Sequence, residues 1–242
     1  MPVSPNYRPD PRFPDLGDDF SDRVEPAIFP QAVLRFRNDR AAAEVGLDSL
    51  TDAEWIAHFG RFQPLPGQSG PVAMRYHGHQ FRSYNADLGD GRGFLAAQLR
   101  AGDGRLLDLG TKGSGTTPWS RGGDGRLTLK GGLREVLAAT LLETLGVPTS
   151  RPFSLIETGE ALQRGDEPSP TRSAVLVRLG HSHVRFGTFQ RAAWHERPDL
   201  IATLTEHVRS LYHPGVAVGD VPGLLRAVVE ASARLSARWI AA

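Results

Sequence analysis

Residues 108–126 have the sequence D-L-G-T-K-G-S-G-T-T-P-W-S-R-G-G-D-G-R, and residues 127–135 continue it with L-T-L-K-G-G-L-R-E. The first part predicts the end of a strand over residues 105–111, followed by Lys112 and the small residues 113–115. Small residues there would let an anionic ligand approach the backbone and the ammonium group together, as phosphate sites require. An ordinary glycine-containing turn with an exposed lysine has the same sequence features, so this stretch alone leaves both interpretations open.

Lysine is rare in this chain: Lys112 and Lys130 are the two lysines among 28 basic residues, and the others are arginines. An ammonium group is a compact point charge, whereas a guanidinium group is a wide planar fork, so the two are not interchangeable. The rarity of lysine therefore favours a specific role for Lys112. Nothing in the sequence around Lys130 distinguishes it from a lysine retained by chance.

The segment after residue 126 predicts a helix over residues 131–145, because Gly146 follows its last turn and Pro148 prevents its continuation. One face is expected to be apolar, with Leu133, Val136, Leu137 and Leu141. Glu135 falls on another face, with Ala138, Ala139 and Leu142, where a buried carboxylate needs a cation. A strand lysine paired with a helix glutamate is how protein kinases hold an ATP-contacting lysine. Surface pairing of Glu135 with Arg134 or Lys130 stays open.

Two further features fit a phosphate site. The glycines of the segment 88–92, L-G-D-G-R, could form a loop over phosphates, although a bare hairpin turn would have the same sequence. Arg178 and Arg185 flank G-H-S-H at residues 180–183, and arginines at strand ends suit bidentate phosphate contacts. In a chain so rich in arginine, each of them could equally be a solvated surface charge.

Composition limits the class of protein. With 242 residues, 40% hydrophobic and 23% charged, the chain is typical of a globular protein. A net charge of +1 gives no electrostatic case for nucleic acid or an acidic membrane. No signal sequence or membrane-spanning run is found, so a cytoplasmic location is expected. Cysteine is absent, and the pairs His77/His79 and His181/His183 lack further ligands at typical spacing, so no metal site is predicted.

The order of elements predicts an α+β fold. Residues 1–30, with seven prolines, indicate an extended arm, and Thr51 with Glu54 indicates a capping box for a helix over 51–59. Strands are predicted over 72–76, 93–100, 105–111, 153–157 and 173–179, and later helices over 198–212 and 222–240. Together with the lysine–glutamate arrangement of protein kinases and the family resemblance described next, this order leads us to expect an N-terminal extension over 1–60, a kinase-like N-terminal lobe over 61–190, and the start of a helical C-terminal lobe over 191–242.

These stretches closely resemble the selenoprotein O (YdiU-like) family of pseudokinase-fold protein adenylyltransferases. The matching segments are residues 76–81, 88–92, 108–126, the pair Arg134-Glu135, Arg178 and residues 182–187. The chain departs from the family pattern at His77, Arg82 and Gln190, where the family usually has a small residue, glycine and an acidic residue.

The resemblance implies a protein-kinase-like N-terminal lobe, an antiparallel sheet with one main helix, that binds ATP in a flipped orientation. It implies transfer of AMP to Ser, Thr or Tyr hydroxyls of proteins, with ATP and Mg²⁺ or Mn²⁺ as cofactors and no nucleic acid or membrane partner. By position, Gly89, Gly91 and Arg92 would line the nucleotide loop, and Lys112 would contact phosphate and pair with Glu135. Asp124 and Gly125 would also belong to the nucleotide site, and Arg178 and Arg185 would contact phosphates.

The family's catalytic Asp and its Mg²⁺-binding Asn and Asp lie in segments, G-F-x-H-G-x-x-N-T-D-N and D-Y-G-P-F-G, that are not found up to Ala242. We therefore expect no catalytic residue or metal ligand within this chain, weak ATP binding and no transfer by the chain alone. Its last helix is expected to expose an apolar face over residues 224–235 and to cause self-association. The alternatives are a non-catalytic nucleotide-binding regulatory module and a kinase that transfers phosphate.

Overall fold

A computed structural model describes residues 4–242. The strands are β1 (Ser21–Arg23), β2 (Val33–Arg37), β3 (Val72–Met74), β4 (Gly78–Gln80), β5 (Ser83–Asn85), β6 (Leu95–Arg100), β7 (Leu106–Lys112), β8 (Leu127–Thr128), β9 (Arg151–Leu162) and β10 (Thr171–Gly180). The helices are α1 (Asp39–Glu44), α2 (Asp52–Phe59), α3 (Leu129–Thr144), α4 (Phe186–Trp194), α5 (Pro198–Tyr212) and α6 (Val221–Ala241).

The main sheet is antiparallel and has the strand order β1-β3-β6-β7-β10-β9-β2, with the short β8 also paired to β10. β4 and β5 form a separate hairpin. This α+β architecture, an antiparallel sheet with one long helix after β7 and further helices near the C-terminus, confirms the predicted kinase-like fold class. The division into segments at residues 60 and 190 stays a prediction.

The two faces of the central strands pack against different layers. Leu107 and Leu109 of β7 point into the largest core cluster, which also contains Trp55 of α2 and Phe153 of β9. Residues at alternate positions of a strand point to opposite faces, so Asp108, Gly110 and Lys112 lie on the other face. On that face α3 packs against β10 through a smaller cluster that includes Val136 and Leu176. The sheet therefore brings Lys112 to the same side as α3.

The N-terminal segment is packed, so the prediction of an extended arm over residues 1–30 is wrong for the described residues. Phe13, Phe20 and Phe29 are at most 3% exposed, because their rings fill gaps beside the sheet and the helices. β1 pairs with β3 in the main sheet. Residues 8–10 run along β6, where the N–H of Asp10 donates to the carbonyl of Gln98 at 3.0 Å and Pro9 bridges to Leu99.

Helix α3 is confirmed, but most of its predicted apolar face is exposed. Val136 is buried, whereas Leu133, Leu137 and Leu141 are 50%, 63% and 59% exposed. The half-buried side of the helix is the one that carries Glu135, because it faces β10. α5 and α6 lie where the sequence predicts them, and the capping box of Thr51 and Glu54 is confirmed. α4 was not predicted.

Candidate functional site

A basic cavity of about 580 Å³ opens beside β7 and β10. Its walls come from the turn before β6, from the loop after β7, and from the segment that joins β10 to α4. Seven of the nine predicted site residues line it: Gly89, Gly91, Arg92, Lys112, Asp124, Arg178 and Arg185. Residues far apart in the sequence thus meet at one site, which we call the basic cavity.

The eighth predicted residue, Glu135, does not line the basic cavity but contacts two cations that do. Its carboxylate contacts the Nζ atom of Lys112, and its second oxygen lies 3.6 Å from Nη1 of Arg178. The alternative pairing of Glu135 with Arg134 or Lys130 is thereby excluded, and Lys130 instead lies 3.4 Å from Glu167. One carboxylate on α3 therefore positions a cation from β7 and another from β10.

Arg178 has spare hydrogen-bonding capacity. Its Nε atom is buried and has no hydrogen-bond partner among residues 4–242. A buried donor without a partner costs free energy, so it is a position where a ligand atom would be stabilising. Arginine suits phosphate oxygens because its guanidinium group offers several fixed donors.

The ninth predicted residue, Gly125, has a packing role. Its φ is +69°, and a Cβ there would lie 2.2 Å from the carbonyl carbon of Gly115. The expectation that residues 113–115 form the phosphate approach is wrong, because Gly113, Ser114 and Gly115 are buried and do not line the basic cavity. A Cβ at Gly113 would lie 2.5 Å from the carbonyl oxygen of Ala174. Small residues are needed here so that the loop can pack against the sheet.

The turn of residues 88–92 is held in place by the loop after β7. The hydroxyl of Thr117 donates to the carbonyl of Asp90 at 2.6 Å, and the hydroxyl of Ser120 donates to the carbonyl of Gly91 at 2.5 Å. The indole ring of Trp119 covers Gly89. The two loops therefore form one wall of the basic cavity.

Asp90 is a site residue that the sequence did not single out. Its carboxylate accepts a hydrogen bond from the N–H of Met74 at 3.1 Å and lies 3.3 Å from Nη2 of Arg185. Burial raises the pKa of the Asp90 carboxyl, and the charge of Arg185 partly offsets this shift. Arg185 also stacks over the ring of Tyr76, 4.4 Å from its centroid. Asp90 and Tyr76 thus fix the position of Arg185.

Arg126 and Arg164 also line the basic cavity and were not predicted. Arg126 makes a bidentate ion pair with Glu160, with distances of 2.8 and 2.9 Å. Arg164, from the β9–β10 hairpin, pairs with Asp124 at 2.8 Å. With Arg92 they also line a second cavity of about 500 Å³ beside the start of α3. Nothing in the sequence distinguishes them from the other arginines; only the hairpin geometry brings Arg164 to the site.

His183 lies in the basic cavity next to the arginines. Its Nδ1 atom is 3.1 Å from Oδ2 of Asp108, which is 1% exposed. Its place between Arg178 and Arg185 in the sequence was the signal that could have identified it.

Among residues 4–242, no group of three His, Asp or Glu side chains lies close enough together to hold a metal ion. His77 instead makes a 3.0 Å hydrogen bond with the hydroxyl of Tyr84. In the same part of the chain, no helix has the length and hydropathy needed to cross a membrane.

Comparison with known proteins identifies the family. The family model described as "Protein adenylyltransferase SelO" matches residues 4–242. A Synechococcus elongatus protein named "Protein nucleotidyltransferase YdiU" is 55% identical over 238 residues, which cover 96% of this chain and 48% of that protein. A Gloeobacter violaceus protein of the same name is 57% identical over 236 residues, again 96% of this chain and 48% of that protein.

A more distant relative of that name, from Aeromonas salmonicida, is 42% identical over 219 residues, which cover 90% of this chain and 45% of that protein. The chain spans about half the length of the curated relatives it matches. Since the family match covers nearly all of its residues, this chain belongs to the SelO family of protein adenylyltransferases.

Proposed function

We propose that this chain is the nucleotide-binding, N-terminal part of an ATP-dependent protein adenylyltransferase, which transfers AMP from ATP to Ser, Thr or Tyr hydroxyl groups of other proteins. The observation that carries the proposal is the position of Glu135, which contacts both Lys112 and Arg178 at the wall of the basic cavity. A carboxylate that holds two cations beside a cavity is suited to a polyphosphate ligand. We further propose that the protein acts in the cytoplasm.

The chemistry of AMP transfer explains why a basic cavity is needed. The acceptor hydroxyl gives up its proton to a base, its oxygen bonds to the α-phosphorus of ATP, the bond from that phosphorus to the bridging oxygen breaks, and pyrophosphate leaves. Negative charge grows on the leaving pyrophosphate, and fixed cations stabilise it. In this proposal Lys112, Arg178 and Arg185 supply the positive charge, and Gly89 and Gly91 let the turn approach the phosphates.

A divalent cation, Mg²⁺ or Mn²⁺, would supply further neutralisation of phosphate charge when bound. The described residues of this chain offer no cluster of ligands for it. The family segments that carry the metal ligands and the catalytic Asp have no match among residues 4–242. We therefore propose that these residues supply neither, and that the chain alone binds ATP weakly and transfers nothing. The role that we propose for this chain is to bind and orient the nucleotide.

The two lysines provide a matched test of the nucleotide site. In calorimetry with ATP, Lys112→Ala is expected to weaken binding about tenfold or more, the effect of losing a charge-assisted contact. Lys130→Ala is the control, because Lys130 is exposed, pairs with Glu167 and does not line the basic cavity. Equal ATP affinity of wild type and Lys112→Ala would rule out the assignment of Lys112.

The transferred group can be identified with the full-length Synechococcus elongatus relative. Incubation of that protein with ATP labelled at the α-phosphate should label an acceptor protein, whereas γ-labelled ATP should not. Label from the γ-phosphate would instead indicate a kinase. No transfer from either label would favour a non-catalytic nucleotide-binding module.

A further inference from the structure

His183 is held by two hydrogen-bonding contacts with one buried carboxylate, that of Asp108. Its backbone N–H donates to Oδ2 of Asp108 at 2.7 Å, and its Nδ1 atom lies 3.1 Å from the same oxygen. Asp108 is itself fixed by Nε2 of Gln98, which donates to Oδ1 at 2.7 Å. Asp108 does not line the basic cavity, whereas His183 does. A buried carboxylate thus fixes the orientation of an imidazole ring at the cavity wall.

The strand beneath this ring is shaped for it. Asp108, Gly110 and Lys112 share one face of β7, with alternate residues about 7 Å apart. A Cβ at Gly110 would lie 2.3 Å from Nε2 of His183, so the imidazole occupies the space that a side chain at position 110 would fill. Gly110 is also the register partner of Arg178 on β10. The Nε2 atom therefore lies over Gly110, between the positions of Asp108 and Lys112 on the strand and next to Arg178 on β10.

The hydrogen bonds of His183 leave one nitrogen available. Nδ1 is engaged by Asp108, and among residues 4–242 no partner is found for Nε2. A protonated imidazole donates from both nitrogens, so its Nε2–H could bind a phosphate oxygen while Nδ1–H stays on Asp108. Among the described residues, neither Lys nor Arg pairs with Asp108. His183 is thus the basic side chain that contacts this buried carboxylate.

We propose that His183, oriented by Asp108, is a phosphate-binding residue of the basic cavity, which donates a hydrogen bond from Nε2 to the polyphosphate of a bound nucleotide. The inference rests on the proposed function, because it requires a nucleotide in this cavity. Asp108 is then a positioning residue that acts through the imidazole. The ligand chemistry is that of a phosphate ester or anhydride oxygen, so inorganic pyrophosphate should make the same contact.

The direct test is an NMR titration of the whole chain labelled with ¹⁵N-histidine, with sodium pyrophosphate and with ATP as probes. The Nε2 signal of His183, assigned from its absence in His183→Gln, should shift with both. The signal of His79 should not, because His79 is exposed on β4 and does not line the cavity. An unchanged His183 signal when calorimetry shows that the probe has saturated the protein would overturn the inference.

Variants give the second test. His183→Gln should weaken ATP binding about tenfold, whereas His79→Gln should leave it unchanged. Asp108→Asn should weaken binding to a similar extent and also alter the ¹⁵N signals of His183, which a general loss of stability would not do selectively. If His183→Gln fails to fold, the His183 signals are assigned instead by triple-resonance correlations in uniformly ¹³C,¹⁵N-labelled wild type, and the titration still decides the question.

The outcomes separate this inference from the proposed function. If wild type binds neither ATP nor pyrophosphate, the proposed function fails and the inference with it. If wild type binds ATP and Lys112→Ala weakens binding, but a folded His183→Gln binds as wild type does, the nucleotide site stands and the role of His183 is refuted.

Discussion

The indole ring of Trp119 packs directly on Gly89: a Cβ added at position 89 would lie 2.3 Å from Cγ of that ring. Nε1 of the same ring donates to Oδ2 of Asp22 at 2.8 Å. Trp119 thus links the turn before β6 to the N-terminal strand β1. The close contact, rather than a special backbone conformation, is what requires glycine at position 89.

This contact predicts that Gly89→Ala is destabilising. The new methyl group would displace the rigid indole ring of Trp119, which is held by its hydrogen bond to Asp22. Overpacking of this kind costs about 1–3 kcal/mol. ATP affinity should fall as well, because the displaced ring forms part of the cavity wall. Thermal unfolding and calorimetry measure the two effects. Gly102→Ala is the control, since nothing lies within 4 Å of a Cβ at Gly102, and a similar loss there would contradict the explanation.

Gly110→Ala should act through His183. Because the added Cβ would lie 2.3 Å from Nε2, the imidazole must move away from Asp108, and both stability and ATP affinity should fall. A double-mutant cycle isolates this effect: Gly110→Ala should cost much less unfolding free energy in a His183→Ala background. Equal costs in the two backgrounds would show that the strain arises elsewhere.

Glu157 predicts a contribution to stability that depends on pH. Hydrogen bonds from Arg172, and then those from Arg35, lower the pKa of Glu157 from 4.5 to about 2, although desolvation acts in the opposite direction. A depressed pKa means that the carboxylate stabilises the fold above pH 4.5 and that this contribution is lost as the pH falls towards 2.

Glu157→Gln should therefore lower Tm at pH 7, by an amount that corresponds to about 1–2 kcal/mol, and the difference from wild type should shrink between pH 5 and pH 3. The measurement is thermal unfolding followed by circular dichroism across that range. Glu25→Gln serves as the control, because Glu25 is exposed and, among the described residues, takes part in no ion pair. A Tm difference that stays constant with pH would argue against the pKa shift.

The exposed leucines of α3 and α6 predict self-association of the chain. Leu137, Leu141 and Leu225 are 63%, 59% and 63% exposed, and Nη1 of Arg238 on α6 donates to the carbonyl of Gly146, just after α3, at 3.2 Å. Replacing the three leucines with Glu should reduce association in light scattering without lowering Tm. Val136→Ala, at a buried position, should lower Tm instead. Unchanged scattering after the triple replacement would exclude this surface as the cause.

The ion pair of Lys112 and Glu135 could be predicted from two sequence patterns: the strand that ends on Lys112 and the helical spacing that places Glu135 on one face of the next helix. A strand that ends on a lysine and a helix with a carboxylate on its less apolar face have few ways to pack, and kinases provide a precedent. The same periodicity did not identify which face of α3 is buried. Leu137 and Glu135 lie on different faces of α3, and only one of these faces can pack against the sheet. The face with Glu135 does so because two cations lie there.

Other parts of the site depend on contacts that a linear pattern does not carry. Glycine at positions 113 and 115 resembles a phosphate loop in sequence, yet it serves packing against Ala174 and Ala27. The orientation of His183 depends on a carboxylate 75 residues earlier in the chain. The prolines of the N-terminal segment suggested an arm, but Phe13, Phe20 and Phe29 lie among them and are buried in the structure.

The run of residues 8–10 along β6 has a consequence for the behaviour of the protein in concentrated solution. β3 meets β6 through the single pair Val72 and Leu95. Further along that side of β6, Arg8, Pro9 and Asp10 pair with residues 98–100, and the side chain of Gln68 also bonds the backbone of Gln98. Unpaired strand edges are templates for pairing with another chain. Residues 8–10 therefore protect this edge against aggregation: cleavage after Asp10 would remove the acceptor of the Arg100 amide and leave that amide open to pairing with a neighbouring molecule.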